Sequence, residues 1–153
     1  MQSRVHYGAG HTAWRLMLLL FALHAAAGAT ELSLEGLKSK LASAGEGDRP
    51  HLCVLIAERQ LDAADKLYAG ADFDKAQAAL VEAVTYSEMA RDYAIKSRKY
   101  QKQTEIAARG MARKLNDLMH SLAHQDQAAV QSAIGRLQRV RDDLLGAMFH
   151  GHR

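Results

Sequence analysis

The chain predicts an all-α protein: a small antiparallel helical bundle of about four helices, one of them unusually long, after a cleaved signal peptide. Three observations carry this expectation. Ala, Leu, Gln, Lys, Arg, Asp and Glu dominate the 153 residues, and Pro50 is the only proline; most of these side chains lose little freedom in a helix. No stretch alternates apolar and polar residues as a half-buried strand does. Apolar residues recur instead at intervals of three and four, divided by short polar or Gly-containing breaks.

Residues 1–29 read as an address label. Arg4 and Arg15 are the only charges, Leu16 to Leu23 is a compact apolar run, and Ala27-Gly28-Ala29 closes it with small residues where a signal peptidase inspects the chain. Basic start, short apolar middle and small-x-small end are the three parts of a secretory signal peptide. The run falls short of the about 20 residues that a membrane span needs. Cleavage after Ala29 would leave a mature chain from Thr30 onward, exported to a periplasmic or extracellular compartment.

Residues 30–49 predict a short helix and loop. Leu34, Leu37 and Leu41 share a helical face, and Gly45-Glu46-Gly47-Asp48 is a loop by composition. The bundle domain is expected over residues 50–149, with 150–153 a frayed tail. Asp48-Arg49-Pro50 is a helix start with a capping Asp and a first-turn Pro. That helix runs through Leu52, Ile56, Ala63 and Leu67 to about Ala69. Gly70 is expected to take the left-handed conformation that ends a helix, and Asp72 to cap the next.

From Phe73 the pattern Ala76, Leu80, Ala83, Ala90, Ala94 meets no breaker until about Tyr100, a helix of some 28 residues and roughly 42 Å at 1.5 Å per residue. A break or kink is expected within Gln101–Thr104, with Thr104 as a cap. Ala108, Met111, Leu115, Leu118 and Leu122 then form a heptad seam. His124-Gln125-Asp126 makes a turn, and the last helix carries Val130, Ile134, Leu137, Leu144 and Met148. Arg141 stands where that seam wants an apolar residue, and Val140 beside it substitutes. Short loops impose antiparallel neighbours, and the Ala-rich third helix permits close packing.

The hairpin around Gly70 (about residues 50–90) resembles a tetratricopeptide helix-turn-helix unit. Ala64, Leu67, Phe73, Ala76, Leu80 and Ala83 fall at the spacings that such units use for packing, and Asp72-Phe73-Asp74-Lys75-Ala76 looks like a turn-and-entry segment. The closing Pro of such a unit is missing, its second helix runs on too long, and Ala107 stands where a second copy at the 34-residue period would repeat Phe73. The resemblance implies protein binding, on the concave face that about three stacked units build.

The candidate sites follow from spacing and charge. His120 and His124 are four apart, so on one helix both would reach a single metal ion; the plainer reading of His124 is a solvated turn. Neither a metalloprotease Glu nor a Cys-x-x-Cys-His motif accompanies them. Tyr86, Tyr93 and Tyr100, seven and seven apart, line one stripe of the long helix, either packed against a neighbouring helix or offered to a ligand or partner. Lys96, Arg98, Lys99, Lys102, Arg109, Arg113 and Lys114 form a basic belt interrupted by Glu105. Thr30 to Asp92 holds 12 acidic and 7 basic residues, whereas Tyr93 to Arg153 holds 5 acidic and 11 basic. The halves should attract each other, and the belt would also suit an anionic envelope surface.

Cys53, the only cysteine, sits in the apolar run Leu52-Cys53-Val54-Leu55-Ile56 and reads as a buried small hydrophobe. Asp142 and Asp143 are adjacent and point to different helix faces; Asp62 and Asp65 sit on an exposed face. No phosphate loop or nucleophile elbow is present. No cofactor is called for, and without Arg4 and Arg15 the chain is too nearly neutral for a general nucleic-acid binder. The expectation is a non-catalytic protein–protein interaction or assembly module of the cell envelope. A long helix that overhangs its neighbours could also pair its Ala/Tyr face with a second copy, giving a homo-oligomer.

Overall fold

A computed structural model describes residues 32–150. The signal-peptide segment and residues 151–153 of the expected tail lie outside the described residues, while His150 still belongs to the last helix. Those described form five α-helices and no strand: α1 (Leu34–Ser43), α2 (Arg49–Ala69), α3 (Phe73–Ser97), α4 (Gln101–Ser121) and α5 (Gln127–His150), with a 3-10 turn at His124–Asp126 before α5. The all-helical class is thus what the structure shows. No helix among the described residues is long and apolar enough to cross a membrane.

The first helix starts later than Thr30. Ser33 caps it, its Oγ accepting from the Gly36 N–H at 3.1 Å. Pro50 occupies the first turn of α2, as expected, but the Asp48 side chain makes no capping hydrogen bond. The buried seam of α2 is Leu52, Cys53, Ile56, Ala57, Leu61, Ala64 and Tyr68. Ala63 and Leu67, expected in that seam, are only partly covered.

The turn after α2 departs from expectation. Gly70 keeps φ −85°, and Ala71 takes the left-handed conformation at φ 58°. The Ala71 N–H donates to the Tyr68 carbonyl at 3.1 Å and the Asp72 N–H to that of Leu67 at 3.0 Å. This paired closure is the Schellman arrangement, with Ala71 in the place glycine usually fills. Asp72 makes no side-chain cap to α3; its carboxylate accepts from Lys75 Nζ at 2.7 Å.

The long helix is shorter than predicted and not unusual in length. At 25 residues α3 is close to the 24 of α5, because Arg98 (φ 56°) and Tyr100 (φ 60°) turn left-handed and end it. The expected break therefore exists but precedes Gln101–Thr104, which already belong to α4. Thr104 is consequently a buried helical residue and not a cap. The start of α5 has a device the sequence reading missed: Gln127 Nε2 donates to the Met119 and Leu122 carbonyls, at 3.2 and 3.0 Å, closing the end of α4.

The helices pack as two hairpins, α2–α3 and α4–α5. Glu88 and Arg91 of α3 meet Arg136 and Asp143 of α5. Both members rise along the chain together, so α3 and α5 run parallel. Since each hairpin is antiparallel, α2 and α4 are parallel too. The larger core holds Leu61, Ala64, Tyr68, Ala76, Leu80, Ala83, Met111, Leu115, Val130 and Leu137. The α3 alanines Ala76, Ala83, Ala90 and Ala94 are all buried, the close approach that small side chains allow. The tetratricopeptide-like hairpin therefore does not stand alone: α4–α5 lies beside it although the sequence holds no second copy of the motif.

Helical periodicity fixes the order of layers. Glu82 and Tyr86 of α3 face α1, through Lys38 and the Leu37–Leu52–Ile56 cluster. Val81, Val84 and Glu88, on the opposite side of α3, face α5. So α1 covers one side of the α2–α3 hairpin and α4–α5 covers the other. The far side of α4–α5 has no helix on it among the described residues.

Candidate functional site

Ion pairing between helices uses up part of the basic belt. Lys96 Nζ meets Glu46 at 2.5 Å, and Lys114 Nζ meets Asp62 at 2.6 Å and Asp65 at 3.6 Å. Arg136 grips Glu88 with two parallel bonds of 2.9 and 2.7 Å, the fork geometry that suits guanidinium to carboxylate. These contacts set Lys96, Lys114 and Arg136 against acids of the first half, and the hydrogen bonds to Asp62 and Glu88 push the Lys114 and Arg136 pKa values up. The attraction between acidic and basic halves is thus visible as contacts.

What remains on the basic side is concentrated. Arg98, Lys99, Lys102 and Arg113 are exposed and make no ion pair among the described residues. Arg109 and Arg141 share one acid: Arg141 Nε donates to Glu105 Oε1 at 3.2 Å, and Arg109 Nε lies 3.5 Å from the same oxygen. Glu105 is 7% exposed, so it is a built-in counter-ion for two guanidinium groups and leaves a surplus positive charge. Val140 is buried and Arg141 turns outward to this acid, which explains the apparent slip in the α5 seam.

Arg109, Arg113 and Arg141, with one acid, Asp117, rim a groove of about 330 Å³ between α4 and α5, floored by Ala108, Ala112, Ile134 and Leu137. On α4 these residues lie opposite Ala107, Gly110 and Lys114, which face α2. On α5, Ile134 and Arg141 lie opposite Ser132 and Arg136, which face α3. The groove therefore sits on the uncovered side of the α4–α5 hairpin. Sequence reasoning named Arg109 and Arg113 but not Arg141 as part of a site, nor Glu105 as their partner. The signal was present as one acid set among seven bases.

The tyrosine stripe is largely internal. Tyr86 packs on Leu37, Leu52 and Ile56, with Lys38 Nζ 5.9 Å from its ring centre. The Arg49 guanidinium lies 5.3 Å from the centre of Tyr93. Tyr100 leaves the helix and stacks on His51, with ring centres 5.6 Å apart. These rings receive the α1–α2 segment, so the stripe is a seam between elements, with Tyr86 and Tyr93 half-buried and Tyr100 exposed.

The histidine pair loses its geometric basis. Helix α4 ends at Ser121, Leu122 is extended, and His124 stands in the following 3-10 turn; the two residues do not share a helix face. Both are exposed, and no cluster of three His, Cys, Asp or Glu side chains fit to hold a metal ion occurs among the described residues. Cys53 is fully buried, and burial pushes its thiol up to about 12, far from the thiolate a nucleophile or ligand needs. Asp62 and Asp65 converge on Lys114, while Asp143 goes to Arg91 and adjacent Asp142 stays exposed without an ion pair.

No family model matches the chain, and neither a curated protein nor a solved structure matches it.

Proposed function

We propose that this chain is an exported, non-catalytic protein–protein interaction or assembly module of the cell envelope, acting through the basic side of its second hairpin. The observation that carries this reading is the uneven outcome of charge pairing. Acids of the first half neutralise Lys96, Lys114 and Arg136, while Arg98, Lys99, Lys102 and Arg113 stay exposed and unpaired. A surplus of exposed, unpaired cations steers acidic partners and selects against basic ones. The buried, protonated Cys53 and the pairing of the neighbouring acids support a role without catalysis.

The export element rests on residues 1–29. N-terminal sequencing of the protein from its own cells should begin at Thr30, and a chain that retains Met1 would contradict it. The partner element is tested by mild crosslinking in the native envelope at low and high salt. One recurrent protein, lost at high salt and lost from a Lys102→Glu, Arg113→Glu variant, is the expected result. Recovery indifferent to both salt and charge reversal would contradict the reading.

A second reading, docking on an anionic envelope surface, is favoured by one observation. Ile95 and Phe149 are exposed apolar residues, Phe149 at 74%, and helix register puts them at the same end of the α4–α5 hairpin as Arg98, Lys99 and Lys102. Co-sedimentation with anionic vesicles that Phe149→Ser abolishes would support this reading, and sedimentation insensitive to Phe149→Ser would count against it.

A further inference from the structure

The layers of this fold are closed at one side and open at the other. Helix α1 lies across the α2–α3 hairpin, seated by Leu37 on Leu52 and Ile56 and tied by Lys38 to Glu82. Gln60 also donates to Glu82, so one carboxylate joins α1, α2 and α3. The α4–α5 hairpin presents the corresponding side with nothing on it among the described residues. There the groove has the composition of a helix seat: small and branched apolar residues on its floor, and a rim of three arginines against one acid, Asp117, so the lining keeps a positive balance.

We propose that this groove binds an acidic amphipathic helix of a partner protein, a deepening that rests on the interaction-module reading. The partner helix would lie between α4 and α5 as the counterpart of α1, its carboxylates meeting Arg109, Arg113 and Arg141 and its small apolar residues meeting Ala112 and Ile134. Helix-in-groove binding uses such anchors at intervals of three and four. Arginine suits this role because its planar fork accepts a carboxylate through two bonds and keeps its charge when partly desolvated.

Charge selects the occupant. The chain's own residues 1–31 carry Arg4 and Arg15 against a single acid, Glu31, a net positive balance that does not suit the groove. A second copy turned face to face would set the same three arginines against each other. In a second copy, α1 carries Glu35 against Lys38 and Lys40, which is the wrong balance. Glu105 sharpens the choice: its single carboxylate already orients Arg109 and Arg141, so these side chains are held near the geometry a second carboxylate requires, at a lower ordering cost on binding.

The test is fluorescence anisotropy with a stapled helical peptide of about 15 residues, a length chosen because shorter free helices are marginal in water. The peptide carries Glu along one edge and Ala and Leu at intervals of three and four. A scrambled peptide of the same composition and a Lys-for-Glu version serve as controls. The expected result is binding of the acidic helix that weakens as salt rises, with both controls about tenfold weaker or worse. Arg113→Glu should weaken binding at least about tenfold, whereas Lys66→Glu, an exposed residue of α2 off the groove, should change it by less than about threefold. Arg113 is exposed and unpaired, so its variant is expected to fold, and circular dichroism verifies that.

Equal binding of the Lys version, or an affinity indifferent to Arg113→Glu, would overturn the proposal. Self-association abolished by Arg113→Glu would also overturn it, making a second copy the occupant. The parent reading fails separately. A native partner lost with Lys99→Glu but kept with Arg113→Glu would remove the groove and leave the module, whereas the absence of any salt-sensitive partner would remove both.

Discussion

Arg113 and Arg141 sit on the same groove with different obligations. Arg113 owes nothing to the fold, so Arg113→Glu should leave the unfolding free energy within about 0.5 kcal/mol of the parent, as surface changes generally do. Denaturant titration measures this, and a larger loss would mean that Arg113 has a structural partner. Arg141 holds Glu105, which is 7% exposed; Arg141→Ala leaves that carboxylate with Arg109 alone and should cost about 1 kcal/mol or more. Cys53 gives the pH prediction. Its thiol is raised to about 12 in the fold, against about 8.5 in an unfolded chain. Folding therefore keeps the proton that the unfolded state gives up, so the contribution of Cys53 is intact below pH 8.5 and is lost as the pH climbs towards 12. The parent should lose stability over that range more steeply than Cys53→Ala, and equal slopes would show the thiol to be accessible.

At the scale of the element, the turns decide where helices stop, and they explain what was and was not legible. Helix content, the Ala-rich face of α3 and the hairpin at Gly70 followed from composition and period. The left-handed residue did not, because glycine's preference offers a place but hydrogen bonding selects it. Ala71 occupies the position where its own N–H and that of Asp72 can both close the end of α2. A non-glycine residue there carries strain of about 1–2 kcal/mol. Ala71→Gly should therefore stabilise the protein by about 0.5–1 kcal/mol after the added freedom of the unfolded chain is counted. Gly70→Ala, at φ −85° with only ordinary contacts for an added Cβ, should also stabilise, by about 0.4–1 kcal/mol, because it reduces the freedom of the unfolded chain alone. The thermal midpoints of the two variants check the pair. The end of α3 was hidden for a similar reason: Arg98 and Tyr100 are ordinary helix residues by propensity and adopt positive φ where the chain reverses. Gln127→Ala, which frees the Met119 and Leu122 carbonyls, should cost about 1 kcal/mol in the same assay.

Over the whole molecule, charge does two separable things. Between helices it forms pairs with mostly solvent-reachable side chains, each worth about 1 kcal/mol or less. On the open side of α4–α5 it stays unspent. Salt should therefore shift folding stability only slightly while weakening partner binding strongly. The basic belt was readable from the sequence, but which of its members face a partner was not. Pairing depends on which acids the layers bring alongside, and the parallel run of α3 and α5 that gives Arg136 to Glu88 is a tertiary fact. Arg141 was hidden in the same way, read as an error in a seam because its acid lies on another helix. The uncovered side of the second hairpin is the proposed working surface. The most direct measurement is an amide and arginine side-chain NMR footprint of the protein with its crosslink-identified native partner. Shifts are expected on residues 105–117 and 134–141, with α1 and the Tyr86 seam unmoved. Shifts centred on α1 and the start of α2, with Arg113 silent, would contradict this proposal.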